Sequence, residues 1–192
     1  MLTNTEQELI SEIRRGNTRA FSYLVDSYKD LVFTLAVRML GNREEAEEVS
    51  QDVFIKVFRS VSKFKGDSKL STWVYRIAYN SCLDQIKKIK KERVLTDLEH
   101  INKIAYADLD NAFQRMADEE RSEIIRQCLA QLSSEDAGIL TLFYLEESSL
   151  QEMEKATGLP VNTLKVRLFR ARKRLAGIME NSVNKEILQS NG

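Results

Sequence analysis

Residues 149–175 read SLQEMEKATGLPVNTLKVRLFRARKRL. Two helical patterns meet across Gly158, Leu159 and Pro160, the chain's single proline. A glycine there can take the left-handed conformation that ends the first helix. Pro160 stiffens the turn, and Asn162 or Thr163 is placed to cap the second helix. This is the pattern of a helix-turn-helix. On a helical wheel Leu164, Leu168, Ala171 and Leu175 share an inward face. Lys165, Val166, Phe169, Arg170 and Lys173 point away, with Arg167 and Arg172 flanking.

From Gly158 to Leu175 there are six Lys or Arg and no acid. Charge alone fits a solvated helix face. The Gly-x-Pro turn, the cap and an outward Val and Phe favour insertion into a DNA major groove, where such a helix brings side chains to base edges and phosphates. The candidate duplex-binding residues are Asn162, Thr163, Lys165, Val166, Arg167, Phe169, Arg170, Arg172 and Lys173. Lys165, Val166 and Arg170 are set toward base edges. Arg167, Arg172 and Lys173 are set toward phosphates or intrahelical pairing.

Outward from this motif the chain is helical almost throughout. One proline and seven glycines in 192 residues leave room for long helices and few turns, and strand-type alternation is absent. Helices are expected over TEQELISEIRR, ending at Gly16; over NTRAFSYLVDSYKDLVFTLAVRML, stopping at Gly41; over NREEAEEVSQDVFIKVFRSVSKF; and over STWVYRIAYNSCLDQIKKIKKER, with Ser71 or Thr72 as N-cap. An acidic, less regular stretch covers 94–118. Four short helices follow, over EERSEIIRQCLAQL, SEDAGILTLFYLE, SLQEMEKAT and VNTLKVRLFRARKRLAG. The tail 179–192 is polar and expected to fray. The fold class is therefore all-α: two small helical domains, 1–93 and 119–178, joined by a linker, the second containing the helix-turn-helix.

Lys and Arg total 29, and so do Asp and Glu, so the basic segments must be offset elsewhere. A second basic segment runs from Lys63 to Lys91 and carries two Asp among its many cations. Phe64, Trp73, Tyr75 and Tyr79 are interleaved with the charges. Trp73, Arg76, Asn80 and Lys87 share one helix face, beside a loop containing Gly66. Cations that track phosphates, next to flat side chains and a loop, suit single-stranded nucleic acid. Tyr75 and Tyr79 read as core. Trp73 stays open between bracing the loop and stacking on a base. A third feature is EEAEEVSQDVFIKVFRSV: Ala46, Val49, Val53 and Val57 face inward, while Phe54 and Phe58 lie beside Glu47, Glu48, Gln51 and Asp52. An acidic surface with protruding aromatics suits a protein partner; the alternative is a wider core.

Other chemistry is not supported. His100 is the single histidine, Cys82 and Cys128 lack CxxC spacing, and there is no GxSxG and no Gly-rich phosphate loop, so no enzyme, metal or cofactor is expected. No apolar run approaches a membrane span and the N-terminus lacks a signal-peptide core, which reads as a cytoplasmic protein without membrane insertion.

The three features, in this order, resemble the extracytoplasmic-function group of bacterial sigma factors, the small two-domain members of the primary sigma family. The segments GNTRAFSYLVDSY, AEEVSQDVFIKVF, FKGDSKLSTWVYRIAYNSCLDQIKK and CLAQLSSEDAGILTLFYLEESSLQEMEKATGLPVNTLKVRLFRARKRL carry the resemblance over nearly the whole chain. It implies a sigma factor that binds core RNA polymerase and directs promoter-specific initiation. The core partners would be the beta-prime and beta subunits; promoter DNA and an anti-sigma factor are the other partners implied. Glu48, Gln51, Asp52, Phe54, Ile55 and Phe58 match the docking segment for the beta-prime coiled coil. Lys63, Lys65, Gly66, Asp67, Ser68, Lys69, Ser71, Thr72, Trp73, Arg76, Asn80 and Lys87 match the part that captures non-template bases of the minus-ten element. The helix from Asn162 to Arg174 matches the reader of the minus-thirty-five element. Three positions depart from the family pattern: Glu154 replaces a small Ala, Asn162 a Gly, and Val166 a Ser. Glu154 bears on the helix–helix contact and Val166 on base preference.

Two readings from other classes stand beside this one. An operator-binding regulator would use the helix-turn-helix on duplex DNA and the N-terminal helices to dimerise or sense a ligand. A polymerase-inhibiting module would dock without promoting transcription. The Phe64 to Lys91 segment discriminates against the first, since an operator-binding repressor has no use for a single-strand surface.

Overall fold

The computed structural model describes residues 4–96, 127–144 and 146–190. The first four helices are α1 (Asn4–Arg14), α2 (Thr18–Leu40), α3 (Arg43–Ser60) and α4 (Leu70–Thr96), with a 3-10 turn (Val61–Lys63) after α3. α5 is described over residues 127–130, followed by α6 (Ser134–Tyr144), α7 (Leu150–Thr157) and α8 (Val161–Ser190). Among the described residues there is no strand.

Local chemistry sets the breaks. The Asn17 side chain accepts hydrogen bonds from the backbone N–H groups of Arg19 and Ala20 and so caps α2. Gly41 ends that helix at φ 71°, in the left-handed region that favours glycine. Asn42 then caps α3 through the Glu45 N–H, with Glu44 and Glu45 against the positive end of the helix dipole.

α2 packs against α1, α3, α4 and α6. It therefore buries residues around more than one face: Leu24, Val32, Leu35, Ala36, Val37 and Met39. α3 buries Ala46, Val49, Val53 and Val57 as its periodicity predicts. In α4, Val74, Tyr75, Ala78, Tyr79 and Cys82 are buried. The two cysteines are buried and not joined in a disulfide, and burial pushes the Cys82 thiol up to about 12. Lys56 Nζ donates to Ser81 Oγ at 2.9 Å and ties α3 to α4. Arg14 of α1 donates to the carbonyls of Val61 and Phe64, anchoring the start of the loop between α3 and α4.

Four details differ from the sequence expectation. α4 begins at Leu70, so Ser71 and Thr72 lie inside its first turn rather than capping it; Leu70 is fully buried and pulls that turn onto the core. α8 begins at Val161, so Asn162 and Thr163 also lie in a first turn. α8 continues to Ser190 through the tail expected to fray; no proline follows Gly177 to stop it, and Met179, Glu180, Lys185, Glu186, Leu188 and Gln189 favour a helix. Finally, the buried side chains of α1–α4 and of α6–α8 form one cluster, from Ile10 to Ala171. The linker expected over 94–118 lies outside the described residues from 97 onward.

Candidate nucleic-acid interface

The turn of the helix-turn-helix closes as its sequence predicts. Gly158 has φ 75° and its N–H donates to the Glu154 carbonyl at 2.8 Å. Ser149 and Glu152 form a capping box at the start of α7. Glu154 projects outward, and its Oε1 accepts from the Val161 N–H at 3.2 Å. The residue that departs from the family's Ala thus caps the recognition helix across the turn, in place of Asn162 and Thr163.

Within α8, Leu164, Leu168 and Ala171 are buried with Met153 and Ala156 of α7. That packing orients the opposite face outward. Asn162, Thr163, Lys165, Arg170 and Lys173 are exposed, as are Val166 at 49% and Phe169 at 68%. The flanking cations behave differently. Arg167 pairs with Glu135 of α6, and that bond raises its already high pKa. The Arg172 guanidinium lies 4.6 Å over the Phe143 ring and 5.3 Å from that of Tyr144, a cation–π arrangement. Arg174 pairs with Asp136. Three of the cations are therefore held by α6, and Lys165, Arg170 and Lys173 project freely along the outer face. Sequence reasoning missed the acids at Glu135 and Asp136 as anchors. Their signal was their place in the first turn of α6, where carboxylates also complement the helix dipole.

The second basic surface is less open. Lys63, Lys65, Asp67 and Lys69 are exposed in the loop, Gly66, Ser68 and Ser71 are half-buried, and Thr72 is buried. Gly66 takes φ 80°, and Ser68 Oγ donates to the Lys69 carbonyl at 3.2 Å. The rings of Phe64 and Trp73 lie 4.9 Å apart at 35°. Trp73 therefore braces the loop against buried Phe64. Arg76, Asn80 and Lys87 line the exposed side of α4. Tyr75 and Tyr79 are core, as expected, and burial raises the Tyr79 phenol to about 12.

On α3, Glu48, Gln51 and Asp52 are exposed, with Ile55 at 48% and Phe58 at 52%. Phe54 is half-buried against the core. Phe58 meets Phe21 of α2 edge-to-face at 4.9 Å, a geometry that preorganises an aromatic pair at the surface. The acidic-aromatic face thus exists, with Phe58 and Ile55 more available than Phe54. Among the described residues no group of His, Cys, Asp and Glu could hold a metal ion, and no helix is long and apolar enough to cross a membrane.

Two family descriptions match the chain: Sigma-70 region 2 over residues 24–92 and Sigma-70, region 4 over residues 122–175. The chain is 34% identical over 172 residues to the ECF RNA polymerase sigma factor SigW of Bacillus subtilis, covering 86% of this chain and 92% of that one. It is 32% identical over 180 residues to the RNA polymerase sigma-H factor of Pseudomonas aeruginosa, covering 90% and 93%. Its fold is similar to that of the sigma factor RpoE from Bartonella quintana, solved with the anti-sigma factor NepR. The TM-score is 0.71 at 22% identity, over 83% of this chain and 96% of that one.

Proposed function

The chain belongs to the extracytoplasmic-function group of the sigma-70 family, and we propose that it divides the work of a sigma factor among the three surfaces just described. Proteins of this family are non-enzymatic transcription initiation factors of RNA polymerase. In this chain the α3 face around Gln51, Asp52, Ile55 and Phe58 docks on core polymerase. The loop Lys63 to Thr72 with Trp73, Arg76, Asn80 and Lys87 receives unpaired bases of the downstream element. The outer face of α8 reads the upstream element as duplex. The domain limits 1–93 and 119–178 belong to the same reading, as does action in the cytoplasm. An anti-sigma factor is a further partner, by likeness to the relative solved with one.

The observation that carries this reading is the outer face of α8. A Val and a Phe left at the solvent, between projecting cations and behind a closed helix-turn-helix, suit a groove that offers base edges, methyl groups and phosphates together. The neutral net charge fits the same role. Few free phosphate contacts mean weak binding to bulk DNA, and polymerase supplies the spacing that lets two weak contacts add.

The test is run-off transcription with core polymerase, joined to selection from a promoter library randomised in the upstream element. Lys165→Ala and Arg170→Ala are expected to change the selected sequence, each costing about 1–3 kcal/mol at one position. Lys173→Ala is expected to lower output evenly and reduce the salt slope by roughly one unit. An even loss with all three would leave α8 an electrostatic anchor. Binding of core without transcription would favour the inhibitor reading instead.

A further inference from the structure

We propose that Asn162 is a base-reading residue of α8, selecting adenine in the upstream element, and that Glu154 is the positioning residue that keeps the Asn162 side chain available for it. This rests on the assignment of α8 to the upstream duplex given above. It joins two of the three positions at which the chain departs from the family pattern.

The start of α8 lacks a cap of its own. Val161 is the first helical residue, and the Leu164 N–H donates to the Pro160 carbonyl at 3.0 Å. Pro160 therefore stands at the capping position, and its ring offers no acceptor. The acceptor comes instead from α7. Glu154 Oε1 takes the Val161 N–H at 3.2 Å, and the Glu154 carbonyl takes the Gly158 N–H at 2.8 Å. Between them Thr157 Oγ1 takes the Leu159 N–H at 3.2 Å. Both ends of the turn are thus tied to one residue of α7, whose carboxylate also meets the positive end of the α8 dipole.

Asn is among the best capping types, but a cap spends its side chain. From Asn162 the oxygen would turn back onto the N–H of Leu164 or Lys165. Because Glu154 caps the helix earlier, Asn162 lies inside the first turn. Its side chain is exposed and hydrogen-bonded to no described residue. Helical period sets it one turn before Val166 and two turns before Arg170, at the head of the same outward stripe. Thr163 falls to the flank with Arg167. Buried Leu164 and Leu168 hold that orientation.

The N-terminal turn of a recognition helix is the part brought to base edges. A carboxamide there can donate to adenine N7 and accept from adenine N6, a pair of contacts that only adenine offers in the major groove. The glycine of the family pattern has no group to make them. Losing the Glu154 cap would let the first turn unwind to Asn162, which would then cap the helix and no longer face the groove.

The test is selection from a library randomised in the upstream element, using the full chain and core polymerase. Single promoters carrying 7-deazaadenine, which lacks the N7 acceptor, follow. Wild type is expected to select adenine at one position and to lose about tenfold in output when that base becomes 7-deazaadenine. Asn162→Ala is expected to lose that preference, to ignore the 7-deaza change and to keep selection at the other positions. Glu154→Ala is expected to weaken the preference at the same position about threefold, and to add nothing to Asn162→Ala. Glu154→Gln keeps an acceptor for the Val161 N–H and is expected to restore the preference. An unchanged adenine preference in Asn162→Ala overturns the proposal and leaves the assignment of α8 standing. So does a Glu154→Ala loss spread evenly over all positions, which is what destabilisation alone would give. Should Glu154→Ala lose helicity, Glu154→Gln and the 7-deazaadenine comparison in Asn162→Ala decide. A wild-type protein that transcribes without selecting at any upstream position overturns the assignment of α8 itself, and the proposal with it.

Discussion

The helix α8 and the loop Lys63 to Thr72 carry similar chemistry in sequence, basic residues with aromatics between them, yet they differ in availability. α8 is oriented by two buried leucines and presents Val166 and Phe169 to solvent. The loop is braced by Phe64 on Trp73, tethered to α1 through Arg14, and covered in part by α7 through Lys69 and the Asp67 carbonyl. A helix displays its face by its own periodicity. A loop has no period, and what it displays depends on what packs beside it. The same composition therefore yields a helix face open to solvent and a loop partly covered by its neighbour α7.

The largest effect should come from breaking the feature that orients α8. Leu164 is fully buried, and Leu164→Ala is expected to cost about 2–5 kcal/mol of stability, measured by denaturant unfolding. Discrimination among upstream sequences should fall with it, while the loop residues keep their exchange protection only as far as the interface survives. A cost below 1 kcal/mol would mean that the recognition helix is not oriented by packing.

A smaller effect tests the proposed strand-receiving surface. Asn80 is exposed on α4, so Asn80→Ala should leave stability unchanged. Open-complex formation on duplex promoters should fall about fivefold, near the worth of one hydrogen bond, roughly 1 kcal/mol. On a template already mismatched over the melted region the loss should be less, because unpairing is no longer required. Permanganate footprinting on both templates reads the difference. Equal loss would move Asn80 from base capture to a polymerase contact.

The smallest effect concerns acid. Glu152 sits between Lys69 and the Ser149 N–H, and these two bonds hold its carboxyl down at about 2, well below its ordinary 4.5. A depressed folded pKa contributes stability above the ordinary value and loses it as pH falls from about 4.5 toward about 2. The contact between loop and α7 is thus expected to be constant across neutral pH and to loosen only below about 4.5. Trp73 is the single tryptophan and lies in the loop's brace, so its emission reports the change. Glu152→Gln should flatten that acid response; an identical profile in the variant would show that Glu152 does not hold the rim.

Much of the molecule was legible from residues alone. The Gly158 and Gly41 stops, the α3 stripe, the α8 inner face and the burial of Tyr75 and Tyr79 all follow from helical period and turn chemistry. These are local rules, set by neighbours within one or two turns. The caps of α4 and α8 were misplaced because Ser71, Thr72, Asn162 and Thr163 are good capping types one or two positions inside the true starts. There, buried Leu70 and the distant Glu154 carboxylate decided the boundary.

What only the tertiary structure decided is the joining of the two halves. Gly138 reads as a mild helix defect in sequence, and Met39 as one more apolar residue in α2. Their meeting beneath the Tyr75 hydroxyl depends on residues more than sixty positions apart in the chain. Helical period sets Arg167 and Arg172 at the flank of the outward Lys165, Arg170 and Lys173, but it does not show that α6 holds Arg167, Arg172 and Arg174. Long flexible side chains take the partner that a neighbouring helix brings within reach, and which helix comes near is a property of packing.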